Sequence, residues 1–141
     1  MTMTVQVTFD CTDPHRLAAW WAELLEWSVE PQDGAFIQSM IDGGFAEPGD
    51  AIEYEGRLVW RTGTAINAPE GTPTPRILFQ WVPEGKAGKN RVHLDLRVGG
   101  GDPDAARERA VSLGAVPIGG GEQGPHRWTT YLDPEGNEFC L

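Results

Sequence analysis

Basic residues are scarce in this chain: 11 lysines and arginines face 21 aspartates and glutamates, for a formal charge of −10. Nucleic acid is bound by neutralising backbone phosphates on a basic face, so no nucleic-acid partner is expected. Cysteine is nearly absent as well. Cys11 and Cys140 form no C-x-x-C pair and no disulfide framework, which suits a reducing cytoplasm. No apolar run approaches the roughly 20 residues that span a bilayer, and the N-terminus lacks the basic-then-apolar pattern of a secretory signal. A cytoplasmic protein without a membrane partner is the expectation.

What is present reads as one globular domain covering residues 1–141. Apolar residues make up 40% and charged residues 23% of the chain, a folded balance. A chain this long buries roughly 70% of its unfolded surface, so it needs neither metal nor disulfide to fold. Six tryptophans and eighteen glycines suit a large core or an aromatic pocket, joined by many turns.

The chain repeats itself. Val5-Gln6-Val7-Thr8-Phe9-Asp10-Cys11 alternates apolar and polar, the period of a half-buried strand. Asp13-Pro14 then supplies an N-cap and a proline at the first helical position. Leu17, Trp20, Trp21, Leu24 and Trp27 follow at helical spacing. From Val92 the same order recurs: Val92–Val98 alternates in the same phase, Asp102-Pro103 caps, and Ala106, Ala110 and Leu113 make the stripe. Gly114 closes that helix.

After each helix three further strands are predicted. They fall near Ser28–Pro31, Leu58–Thr62 and Arg76–Val82 in the first half. In the second half they fall at Val116–Gly119, Arg127–Leu132 and Asn137–Leu141. Asp133-Pro134-Glu135-Gly136-Asn137 turns the last two into a hairpin, since proline presets one dihedral and glycine accepts positive φ. Between Gln32 and Gly56 the first half carries an insertion with no counterpart. Phe36, Ile37, Met40 and Ile41 there suggest a short amphipathic helix closed by Gly43-Gly44, either a lid or a cover for a sheet edge.

These motifs carry a resemblance. Asp13-Pro14…Leu17…Trp20-Trp21…Leu24…Trp27, His93-Leu94-Asp95-Leu96, Leu113-Gly114-Ala115 and the terminal Asp133-Pro134-Glu135-Gly136-Asn137-Glu138-Phe139 are similar to the vicinal oxygen chelate superfamily, the glyoxalase and bleomycin-resistance fold. Pro75–Glu84 and Lys89–Asp95 bring it closer to its glyoxalase-like domain proteins. The resemblance implies an α+β fold of two βαβββ modules, about 1–84 and 91–141, forming a cup-shaped, barrel-like mixed sheet with helices outside. It also implies a homodimer, which would close open sheet edges. Members include lyases, isomerases, dioxygenases and inert drug-binding proteins, so the fold alone does not name an activity.

Strand parity assigns the faces. Val5, Val7 and Phe9 should meet the first helix, leaving Gln6, Thr8 and Asp10 toward the cup. Val92, Leu94, Leu96 and Val98 should meet the second helix, leaving His93, Asp95 and Arg97 inward. Gln80 shares a face with Arg76 and Leu78, and Cys140 shares one with Glu138. Trp60, Trp81 and Trp128, on strands, are candidates to line the cup and stack planar ligands.

Metal-using members place His or Glu at four strand positions, which fall here on Gln6, Gln80, His93 and Cys140. Only His93 is of the usual type, and neutral amides give a hard divalent ion little field. No cofactor is therefore expected. If a divalent metal binds, His93 and Cys140 would hold it with Gln6 or Gln80, and Asp95 is a further donor. His93 with Asp95 is the candidate catalytic pair, because a carboxylate fixes an imidazole tautomer and raises its basicity. Cys140 beside His93 is either an activated thiolate or a small buried apolar group. His15 and His126 are expected at the surface, and Lys86, Lys89 and Arg91 on a solvated loop. The reading is a small-molecule-binding protein whose ligand contacts are Gln6, Thr8, Gln80, Arg97, Trp128 and Cys140. Enzymatic action as a glyoxalase-like lyase or dioxygenase, metal-dependent catalysis, and drug sequestration without catalysis remain the alternatives.

Overall fold

The alternating segment near the start forms β1, Val7–Cys11, and the Asp13-Pro14 cap starts α1, Pro14–Leu25. Asp13 Oδ1 accepts the Arg16 N–H at 3.2 Å, satisfying one of the helix's orphan donors. Helix α1 stops where Glu26 turns left-handed at φ 58, so Trp27 lies past its end instead of on its stripe. Leu17, Ala18 and Trp21 are buried along one side. The computed structural model describes all residues from Met1 to Leu141, and they fall into two units, Met1–Glu84 and Gly85–Leu141.

In the first unit the main sheet has the order β1-β6-β5-β2, with β2 at Ser28–Val29, β5 at Gly63–Asn67 and β6 at Ile77–Trp81. β1 and β6 pair in parallel, bringing Phe9 beside Phe79, and both rings meet Trp21 or each other 5.1–5.3 Å between centroids. Each buried aromatic removes about 150–250 Å² from water, an upper estimate on the order of 4–6 kcal/mol, so this face holds the unit together. Val5, expected on the same face, precedes β1 and is exposed.

The insertion is larger than its sequence suggests. Helix α2, Gly34–Asp42, is capped by Asp33 and buries Ile37. A 3-10 turn at Pro48–Asp50 leads to a separate hairpin of β3, Ala51–Tyr54, and β4, Arg57–Trp60. Glu55 and Gly56 both have positive φ, 50 and 75, the turn whose twist suits a tight hairpin. The predicted strand at Leu58–Thr62 is thus mostly β4 of this hairpin, and the sheet strand is β5. β5 is buried on both faces at Thr64, Ala65 and Ile66, which erases the period-2 signal. Its Gly63 lies so close to the Phe79 carbonyl that no side chain fits there.

The second unit repeats the plan as β7, Leu94–Asp95; α3, Pro103–Ser112; β8, Val116–Gln123; β9, His126–Leu132; and β10, Glu138–Cys140. Its sheet order is β7-β10-β9-β8, with β7 and β10 parallel. In both sheets the first strand pairs in parallel with the last, and the third and second follow outward. Tyr131 and Phe139 stack at 5.4 Å as the buried centre. The closing hairpin is tied by Asp133 Oδ1, which accepts the Glu135 and Asn137 N–H groups at 2.9 Å each, with Gly136 at φ 84.

Two expectations need correction here. The alternating segment Val92–Val98 yields a strand of only two residues, because its ladder partner β10 has three and a run of glycines follows. The α+β class holds, but no single barrel-like sheet forms: the hydrogen bonding divides into sheets of four, four and two strands, none of them closed.

Candidate functional site

In the second unit, side-chain parity creates one polar face. Leu94, Phe139 and Tyr131 pair in one row, and the last two are buried. The next row, Asp95, Cys140 and Thr130, therefore points the other way. His93 stands one residue before β7 and directs Nδ1 to Asp95 Oδ1 at 3.0 Å. A ring nitrogen of His93, a carboxylate oxygen of Asp95 and Cys140 Sγ all lie within 4.8 Å of one another. Thr130 Oγ1 is 3.4 Å from Cys140 Sγ.

The same face carries Glu138 and Trp128. Burial pushes the Glu138 carboxyl up, but its own backbone N–H, the Asn90 N–H and the Lys86 ammonium outweigh that and hold it below the usual value. Lys86 Nζ is 3.2 Å from Glu138 Oε1, so one cation of the basic loop is an ion-pair partner. Trp128 is partly exposed, and its ring crosses β8 where Gly121 leaves room; a methyl group added at Gly121 would collide with it. Arg97 is exposed just beyond β7, and His126 is at the surface as expected, at the start of β9.

The remaining expected residues belong to the first unit. Gln6 Oε1 accepts from Arg76 Nη1 at 2.9 Å, and Arg76 forks onto Glu30 at 2.6 and 2.9 Å. That hydrogen bond from Arg76 is the main cause holding the Glu30 carboxyl below its ordinary value. Thr8 and Gln80 are exposed on β1 and β6, Gln80 opposite Asp10 and Gly63. Cys11 lies on the other face, buried, with Sγ 3.5 Å from the Gln80 carbonyl oxygen, and both cysteines are thiols.

His15 is a correction. Far from the surface, it is buried, its Nε2 donates to the Trp60 carbonyl at 2.7 Å, and its ring stacks on Tyr54 at 5.3 Å. The inserted hairpin covers it, which helix periodicity could not reveal. His15, Tyr54, Arg57, Val59 and Thr64 border a cavity of about 230 Å³. Burial is the first cause raising the Tyr54 hydroxyl above its usual value. Sequence reasoning also passed over Thr130 and the Arg76–Glu30 fork. Thr130 was within reach, since it lies two residues from Trp128 and Leu132 on one strand.

A family model described as "Glyoxalase-like domain" matches residues 6–141. The chain belongs to that family. With it goes membership of the vicinal oxygen chelate superfamily. No curated protein matches the sequence. The glyoxalase-like chain is similar to the fosfomycin resistance protein FosX from Mesorhizobium loti at 13% identity and TM-score 0.64, covering 100% of this chain and 90% of that one. It is similar to FosX from Listeria monocytogenes at 11% identity and TM-score 0.63, covering 100% and 92%. Oxidase ChaP-H2 matches at 15% identity and TM-score 0.61, covering 99% and 92%. At these identities the likeness is one of fold.

A variant of the Listeria FosX was crystallised with Mn(II) and 1S,2S-dihydroxypropylphosphonic acid, which makes a metal worth testing against this glyoxalase-like domain. Its own trio is an imidazole, a carboxylate and a thiol. A hard ion such as Mn(II) favours oxygen and imidazole ligands and gains little from sulfur, so the set does not fit that ion. A borderline ion such as zinc accepts all three donor types. No helix is long and apolar enough to cross a membrane.

Proposed function

We propose that this glyoxalase-like domain binds a small molecule at the polar face of its second sheet, with His93 at the centre. The observation that supports it is the convergence of His93, Asp95 and Cys140 on one polar face. Arg97 and Trp128 are the further ligand contacts on that sheet, and Gln6, Thr8 and Gln80 are candidate contacts on the polar face of the first. In this reading Arg76 keeps Gln6 oriented, and Trp128 offers a flat apolar surface to a planar group. An imidazole–carboxylate pair moves a proton to or from a bound carbonyl or hydroxyl without a metal. The domain acts in the cytoplasm as a homodimer, with no nucleic-acid or membrane partner.

The test is calorimetric titration after a thermal-shift screen of planar aromatic and α-ketoacid compounds. His93→Ala should weaken binding of any hit by about 1–3 kcal/mol, the cost of losing one hydrogen bond to the ligand, while the fold is retained. Unchanged affinity in that variant would remove His93 from the site. The rival reading is a metal-dependent lyase, isomerase or dioxygenase, favoured by the three-donor cluster and by Mn(II) in the FosX variant. Stoichiometric metal that survives dialysis would install it instead.

A further inference from the structure

We propose that Cys140 is a nucleophile, with His93 as its base and Asp95 as the residue that positions His93. The inference rests on the reading of this face as the ligand site and adds a covalent step to it. Three observations carry it. Cys140 is directly opposite Asp95 in the parallel β10–β7 pair, so the backbone fixes thiol and carboxylate side by side. Asp95 Oδ1 faces His93 Nδ1 at 3.0 Å, which places the proton on Nδ1 and leaves the Nε2 lone pair as the basic site. A ring nitrogen of His93, a carboxylate oxygen of Asp95 and Cys140 Sγ all stand within 4.8 Å of one another, which gathers thiol and imidazole in one small cluster. Nucleophile, base and orienting group are thus in the order that activated thiols use.

Thr130 adds a fourth element. Its hydroxyl, 3.4 Å from the sulfur, can donate to a thiolate and spread its charge. Cys11 supplies the contrast within the same chain, since it is buried on the helix side of its sheet beside a backbone carbonyl.

The substrate class is a small carbonyl electrophile such as an aldehyde. The Cys140 S–H proton passes to His93 Nε2, and the sulfur bonds to the carbonyl carbon. The C=O π pair moves to oxygen, which takes the proton back from the imidazolium. The product is a thiohemiacetal on the protein. No oxidant or reductant enters, and reversal restores both partners.

The test is alkylation of the native, full-length protein by iodoacetamide at neutral pH, followed by intact and peptide mass spectrometry. There the sulfur displaces iodide and the thiol proton ends on His93. Cys140 should be modified before Cys11, and His93→Gln should slow it on the order of tenfold or more. Asp95→Asn should slow it less, and Asp95→Glu should recover part of the loss, which a purely structural role would not produce. His93→Asn serves as a second variant, with near-ultraviolet circular dichroism showing which variants keep native packing. Equal rates in wild type and both folded His93 variants, or modification of Cys11 first, would overturn the proposal. Alkylation needs no cognate ligand, so its failure leaves the binding reading standing on the His93→Ala titration. Failure of that titration with His93-dependent alkylation would leave the nucleophile and remove the ligand site.

Discussion

On the polar face of the first sheet, Arg76 is committed in several directions at once, forking onto Glu30 and donating to Gln6, while Asn67 donates to the same carboxylate. On the polar face of the second sheet, His93 Nδ1 meets Asp95 and the Cys140 thiol meets Thr130, all within one cluster. The strand orders are the same, first–last–third–second with the outer pair parallel. One copy of the plan therefore ties Arg76, Glu30, Asn67 and Gln6 into a hydrogen-bonded network, and the other gathers His93, Asp95 and Cys140. Topology sets where a side chain stands, and residue type decides what it does there.

The largest effect should come from the feature the two copies share. Phe79 on β6 and Phe139 on β10 are both fully buried in the last strand of their sheets. Phe79→Ala and Phe139→Ala should each cost about 3–5 kcal/mol by cavity formation. Urea unfolding of the two variants measures this, and a small loss in only one would break the equivalence.

The next effect separates the copies. A double-mutant cycle on Arg76→Ala and Glu30→Ala should give a coupling of about 1 kcal/mol or less, since both side chains are partly exposed and solvent screens them. The rate of Cys140 alkylation should stay at its wild-type value in Arg76→Ala. A large change in that rate would mean that the first sheet's network is part of the chemistry.

The smallest effect lies in acid. The Glu30 and Glu138 carboxyls are held below their ordinary value of 4.5, Glu30 chiefly by Arg76 and Glu138 by backbone donors and Lys86 against the push of burial. A carboxyl lowered on folding stabilises the native state above its unfolded pKa, and that stabilisation is lost as pH falls through the folded value. Urea midpoints should thus be level near neutrality and decline below about pH 4.5, more steeply in wild type than in Arg76→Ala or Lys86→Ala. Parallel declines in all three proteins would assign the acid sensitivity elsewhere.

Much of the fold was legible because its signals are local. Asp13-Pro14 and Asp102-Pro103 start the two helices, and Asp133–Asn137 turns the final hairpin. Alternation along β1 placed Phe9 on the helix side and Thr8 opposite, and the same count put His93, Asp95 and Cys140 on a common face. What escaped depends on distant partners. β5 is covered on both faces and shows no alternation, and β3–β4 turns on a glutamate at positive φ, a residue with no preference for that turn. His15 is hidden by a hairpin some forty residues away (about that separation from Tyr54), and the Arg76–Glu30 fork joins residues 46 apart. Residue type at Gln6, Gln80 and Cys140 argued against a hard metal, and the structure gathers His93, Asp95 and Cys140 as three donors of mixed type.

The brevity of β7 has a consequence for how the second unit breathes. β1 is tied to β6 over five residue pairs, whereas β7 is tied to β10 over two, extended by the Leu96 N–H to the Cys140 carbonyl at 2.8 Å. Local opening follows the number of bonds that must break together, so such a short segment parts from its neighbour far more cheaply than the domain unfolds. His93 and Asp95 ride on that segment, while Cys140 stays on β10 between two partners. His93 and Cys140 thereby lie on neighbouring segments joined by only two ladder pairs, so local opening of β7 would part them while the rest of the fold stays in place.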